Sequence, residues 1–168
     1  AFRAGPPRPK FSRVRGPGRG QNAGVEVPAA PCFATLFLDR HPPVEAAAGE
    51  LVRWCRHFHE SGFAGTAGAK AGNLSVRLAP GFLVTPTGLP LDRVEEEDLV
   101  RVVEVRLEAQ TLLVAGCREP SVEALLHHRI YARRPDVEAV FHGHADRLLR
   151  QGPARGLRTT PREAPSGG

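Results

Sequence analysis

The stretch "DVEAVFHGHAD" (136–146) runs two apolar residues, Val140 and Phe141, into two histidines separated by one glycine. Side chains alternate between faces along a strand, so His142 and His144 should emerge on the same side. Neutral imidazole is the commonest protein ligand for zinc, and a catalytic zinc takes about three protein ligands plus an open position. Two imidazoles at i and i+2 supply two corners of that tetrahedron. The bland alternative is a pair of strand-end histidines bonded to solvent or backbone. Gly143 offers the opposite face no side chain, which lets another backbone come close there.

A second chemical group lies in "EPSVEALLHH" (119–128). Ser121 sits where a helix N-cap belongs, with a hydroxyl able to serve first-turn amides. A capping box would need Glu or Gln at 124, where the residue is Ala. Glu123 therefore falls in the first turn without a capping partner, available as a base or simply complementing the helix dipole. His127, one turn further, could hydrogen-bond Glu123 or be buried against a strand without chemistry. A third group is the pair of turns "AGNLSVR" (71–77) and "TPTG" (85–88). Asn73, Ser75, Thr85, Thr87 and Gly88 there could build a nest for an oxyanion, although such turns also occur in many folds without one.

The elements that must position these groups follow from periodicity. "CFATLFL" (32–38) reads as a short strand. The segment 40–62 reads as a helix starting near Pro43, with Val44, Ala47, Ala48, Leu51, Val52, Cys55 and Phe58 on one face and Gly62 as its C-terminal cap. Residues 64–72 form a loop of small residues. "NLSVRL" and "GFLVT" are strands joined by a tight turn at 79–81, and a hairpin spans 99–115. Ser121 to Arg133 is a second helix, ended by Pro135. Val137 to Phe141 is the strand that delivers the histidines, and Leu148 and Leu149 continue a helix. This order predicts an α/β or α+β body.

The 168-residue chain suits one domain, 32–150, between a basic Pro/Gly-rich extension, 1–31, and an irregular tail, 151–168. The net charge of +5 is uneven. Residues 1–43 hold seven Lys/Arg and two Asp/Glu, residues 145–168 five and two, and the span 44–144 eleven and fourteen. A mildly acidic body with basic ends argues against a nucleic-acid-binding surface on the fold. Three separated cysteines without a CxxC pair favour a reducing, cytoplasmic setting over a disulfide framework. The N-terminus lacks a signal-like apolar segment, and no apolar run approaches the length needed to span a bilayer. Residue 1 is Ala, so the natural start is expected upstream.

Taken in order, "GNLSVR", "LVTPTG" and "EPSVEALLHHRIYARRPDVEAVFHGH" resemble the class II aldolase/adducin family over roughly residues 44–146. The resemblance implies a three-layer α/β/α fold with a largely antiparallel central sheet, commonly assembled as tetramers with sites between subunits. It implies zinc or another divalent metal ion on three histidines, of which His142 and His144 match two. It makes Glu123 the catalytic acid/base, and Asn73, Thr87, Gly88 and Ser121 the groups that hold a substrate phosphate. The implied activity is a retro-aldol lyase on a sugar phosphate or related hydroxy-ketone, in which a dication stabilises negative charge developing beside the breaking bond. Related family activities are epimerase and dehydratase, and adducin-like members are inactive assembly domains.

Two departures stand out. Position 122 is Val where the family often has a second serine, which removes one hydroxyl from the phosphate site. No histidine follows His144, so the chain is expected to be truncated relative to its relatives, or to draw its third ligand from Asp146 or Glu123.

Overall fold

The computed structural model describes residues 33–64, 72–145, 151 and 156. The N-terminal extension, Asp146, the Leu148–Leu149 segment, most of the small-residue loop and nearly all of the C-terminal tail lie outside the described residues. Six strands and two helices follow in the order β1 (Ala34–Asp39), α1 (Ala48–Glu60), β2 (Asn73–Arg77), β3 (Phe82–Val84), β4 (Val100–Arg106), β5 (Thr111–Ala115), α2 (Ala124–Arg133) and β6 (Ala139–His142). Two short 3-10 turns, Leu91–Arg93 and Glu96–Asp98, join β3 to β4.

The strands form one sheet in the order β1-β5-β4-β3-β2-β6. It is mixed: β1 runs parallel to β5, and every other neighbouring pair is antiparallel. The parallel pair arises because β1 and β5 are separated by most of the domain, so no hairpin constrains their relative direction.

Alternation along β3 sorts the core into two clusters. Leu83 packs with Ala48, Leu51, Val52 and Cys55 of α1 and with Leu74, Leu91, Val94 and Leu99. Its neighbours Phe82 and Val84 instead pack with Ala124 and Tyr131 of α2 and with Val100, Val102, Leu112 and Val114. The two helices thus cover opposite sides of the sheet. Each fully buried Val, Leu or Phe here is worth about 1.5–3 kcal/mol over an exposed one.

Helix α1 is shorter at its front than the apolar pattern predicts. It begins at Ala48 after an Ala47 N-cap that makes no side-chain bond. Val44, expected on the buried face, is 99% exposed. The apolar period runs on to a residue that no described residue covers, so pattern alone overextends the helix. The back end matches expectation, with Gly62 at φ +77 just past the Ser61 C-cap.

Helix α2 also begins later than expected. Glu123 is its N-cap, without a side-chain capping bond, and Ser121 lies two residues outside. The Ser121 hydroxyl nevertheless accepts from the Glu123 N–H at 3.3 Å, so it serves the helix entrance as its residue type suggests.

Candidate active site

The site is knitted at the junction of β2, β6 and the start of α2. Antiparallel register sets Asn73 opposite His142 and Ser75 opposite Val140. Asn73 and Ser75, two apart on β2, share a face and meet successive turns of α2. The Asn73 side-chain amide donates to Glu123 Oε2 at 2.6 Å. The Ser75 hydroxyl meets His127 Nδ1 at 2.6 Å.

Glu123 Oε2 also lies 3.0 Å from His142 Nδ1. Both contacts fall on the same carboxylate oxygen, so among the described residues Oε1 carries no hydrogen bond. The other ring nitrogen of His142 turns the opposite way: its Nε2 is 3.3 Å from His144 Nε2. A proton on the Nδ1 that faces the carboxylate would leave Nε2 as the lone-pair nitrogen of the ring.

Two zinc–nitrogen bonds at the tetrahedral angle hold their nitrogens about 3.4 Å apart. The His142 and His144 nitrogens already stand at that spacing, and a carboxylate beside the far nitrogen of a ligating imidazole is the usual support for such a ligand. The pair therefore fits a divalent ion in donor type and nitrogen spacing. Among the described residues, no group of three His, Cys, Asp or Glu side chains converges as a potential metal site. Asp146, expected as a possible third donor, lies outside the described residues.

The path that delivers His144 differs from a simple strand. Strand β6 ends at His142, and after Gly143 the chain forms a single parallel bridge between His144 and Ala64. The His144 N–H donates to Phe63 O at 2.7 Å. Gly143 makes this possible: a Cβ there would lie 2.6 Å from both Phe63 O and Phe58 Cζ. The backbone that the glycine admits is thus the turn after α1, held by Phe58 against Phe63 and Phe141.

The expected anion nest is only partly assembled. The 85–88 turn and the 119–121 segment run side by side, with Ser121 N–H donating to Thr85 O and Thr87 N–H to Glu119 O. This brings Ser121 and Thr87 into neighbouring turns, with the exposed Thr87 and Gly88 at the surface. Two expected donors turn inward instead. Thr85 is 1% exposed and its hydroxyl accepts from Leu74 N–H, while the fully buried Ser75 hydroxyl is taken by His127 and Tyr131. Ser75 faces inward from β2 and Thr85 is buried just past the end of β3, and a buried hydroxyl must find a protein partner.

His127 does not bond the Glu123 side chain. Its ring is fully buried, and desolvation, aided by the nearby His142, pushes its pKa down to about 4. Tyr131, the other partner of Ser75, escaped the sequence reading. Its signal was available: Glu123, His127 and Tyr131 recur at intervals of four along one helix face. A cleft lined by Arg77, Phe82, Glu104, His128 and Tyr131 shares no residue with the histidine pair.

The mixed α/β domain sets two imidazoles side by side and places a carboxylate against the far nitrogen of one of them. Residues 49–149 match the class II aldolase and adducin N-terminal domain family, and the chain belongs to that family. Over 75 residues it is 45% identical to the 5-methylthioribulose-1-phosphate/5-deoxyribulose-1-phosphate aldolase of Rhodospirillum rubrum, covering 45% of this chain and 31% of that protein. It is 39% identical over 99 residues to the 3-oxo-tetronate 4-phosphate decarboxylase of Haemophilus influenzae, covering 58% and 43% respectively. It is 39% identical over 75 residues to the L-fuculose phosphate aldolase of Escherichia coli, covering 45% and 32%. The chain thus spans less than half the length of each of these relatives. A solved structure of L-fuculose 1-phosphate aldolase superposes with a TM-score of 0.54 at 26% identity, over 67% of this chain and 50% of that one.

Proposed function

We propose that this chain carries the core of a divalent-metal-dependent lyase centre that cleaves a sugar phosphate or related hydroxy-ketone by retro-aldol chemistry. His142 and His144 would hold the ion, zinc being the best match to their nitrogen donors. When bound, it would supply charge stabilisation for the oxygen next to the breaking carbon–carbon bond. Glu123 is assigned the proton transfer: the carbon that keeps the bonding electron pair must gain a proton, and a carboxylate with one anchored oxygen and one open oxygen can carry it. Ser121, Thr87, Gly88 and Asn73 are assigned to the substrate phosphate. Asn73 also steadies Glu123. In this reading the domain runs from 32 to 150 in a three-layer α/β/α arrangement, and homo-oligomerisation, as a tetramer, would complete the site between subunits.

The observation that carries the reading is the meeting of His142 with His144 on one ring nitrogen and with Glu123 on the other. The activities of the three relatives named above, on phosphorylated sugars or a phosphorylated sugar acid, support the substrate class. The test is turnover of L-fuculose 1-phosphate and 5-methylthioribulose 1-phosphate with added zinc, followed by release of the aldehyde. Wild type should turn over one of them, and Glu123→Gln should fall by about 10²–10⁴-fold. Equal rates in the two proteins would remove Glu123 from the chemistry.

A second reading, an inactive adducin-like binding or assembly domain, draws on the two-imidazole donor set, which is one short of a usual catalytic zinc site. Absence of zinc uptake together with self-association would favour it.

A further inference from the structure

Behind Glu123, the layer between β2 and α2 contains a buried hydrogen-bond chain that the proposed chemistry does not use. Tyr131 OH lies 2.7 Å from Ser75 Oγ, and Ser75 Oγ lies 2.6 Å from His127 Nδ1. Ser75 and His127 are fully buried, and Tyr131 is 6% exposed. Ser75 has one proton for two contacts, so the chain can run in only two directions. If His127 Nδ1–H donated to Ser75, Ser75 would donate to Tyr131, and the tyrosine proton would have no acceptor among the described residues. In the other direction Tyr131 donates to Ser75 and Ser75 donates to His127 Nδ1, so both hydroxyl protons are used. A buried donor left unpaired costs about 1–3 kcal/mol, which favours the second arrangement. Its consequence is that His127 is neutral and carries its proton on Nε2.

That Nε2 is buried and has no hydrogen-bond partner among the described residues. The same layer holds a second buried orphan of opposite character, the amide oxygen of Asn73. Asn73 reaches the head of α2 at Glu123, and Ser75 reaches one turn further at His127, whose N–H donates to Glu123 O at 3.2 Å. The amide of Asn73 and the ring of His127 therefore occupy neighbouring positions along one strand face and one helix face. The two orphans, one a donor and one an acceptor, belong to side chains that reach successive turns of α2 from the same face of β2, and they are not bonded to each other.

We propose that His127 is a positioning residue for the Glu123 carboxylate: its Nε2–H serves the Asn73 amide oxygen through one enclosed water, and so keeps the amide NH2 turned toward Glu123. The Tyr131–Ser75 pair sets the ring form that makes this possible. An amide can present either end to a neighbour, and only the nitrogen end can donate to a carboxylate. The depressed basicity of His127 fits the same arrangement, because a doubly protonated ring would lose its bond from Ser75. The catalytic consequence rests on the function proposed above; the hydrogen-bond arrangement does not.

The experiment uses the full chain in three arms. Nitrogen-15 histidine NMR should show His127 as the neutral Nε2–H tautomer from pH 5.5 to 8, and an Nδ1–H tautomer would overturn the proposal. The Asn73 side-chain NH2 protons should exchange slowly in wild type, faster in His127→Phe, and slowly again in His127→Gln, whose amide nitrogen can replace Nε2–H. Unchanged exchange in folded His127→Phe would overturn it. In the zinc-supplemented L-fuculose 1-phosphate assay, kcat should fall about tenfold in His127→Phe, the lower end of the loss usual when a supporting hydrogen bond is removed, and recover in His127→Gln. A Gln variant no better than Phe would count against positioning. If His127→Phe does not fold, the wild-type tautomer and the Gln variant still decide. Wild type without turnover would defeat the lyase reading, while the two NMR arms would still judge this one.

Discussion

The Asn73 side chain donates to Glu123 Oε2 at 2.6 Å, bridging fifty positions of sequence from the first residue of β2 to the N-cap of α2. Asn73 also stands opposite His142 in the β2–β6 register. One residue thus connects the carboxylate, the helix that presents it and the strand that presents the first imidazole. Asn73→Ala should leave the chain folded but loosen Glu123. The account expects a loss of about tenfold or more in kcat/KM for a ketose phosphate, with near-native circular dichroism. Asn73→Asp should be worse than Ala, because it sets a second carboxylate against the first. Steady-state kinetics on the two variants checks the order.

Gly143 should not tolerate a methyl group. The added carbon would lie 2.6 Å from Phe63 O, which cannot move without releasing the His144 N–H that it accepts at 2.7 Å. Gly143→Ala is expected to cost about 1–3 kcal/mol, read as a lower urea midpoint, and to weaken metal uptake through the displaced His144. An alanine variant with unchanged midpoint and unchanged metal uptake would show that this close approach does not hold the histidine in place.

Burial of His127 makes a pH prediction with a definite sign. Its folded pKa is pushed down to about 4 from the ordinary 6.5, so the unfolded chain takes up the proton first. The stabilisation from keeping this ring neutral is complete above about pH 6.5 and is lost as pH falls toward 4. The loss is of order 3 kcal/mol. Urea midpoints measured from pH 7.5 to 4 should fall in that window for wild type, and the fall should be shallower in His127→Phe. Parallel curves for the two proteins would mean that His127 is not the group being titrated.

Much of this site was legible in sequence because its residues sit on short-period elements. The i, i+2 histidines and the glycine between them follow from strand alternation, and Glu123 at the head of a helix follows from the Ser121 signal. What escaped was set by partners distant in sequence. Ser75 and Thr85 look like surface hydroxyls in their turns, but pairing of β2 with β3 and β6 turns Ser75 inward, and bonds to Leu74 hold Thr85 in the interior. The parallel placement of β1 beside β5 depends on a contact across most of the domain, which no local pattern encodes. Val44 shows the converse: a periodic apolar residue left 99% exposed, because no described residue packs over its side chain.

The central claim is that His142 and His144 together hold a divalent ion beside Glu123. Calorimetric titration of the full chain with zinc tests it most directly. The account predicts one ion per chain in wild type, with uptake weakened at least tenfold by either His142→Ala or His144→Ala, as loss of even a supporting partner costs about 10–100-fold. No heat of binding in wild type, or the same affinity in all three proteins, would contradict it.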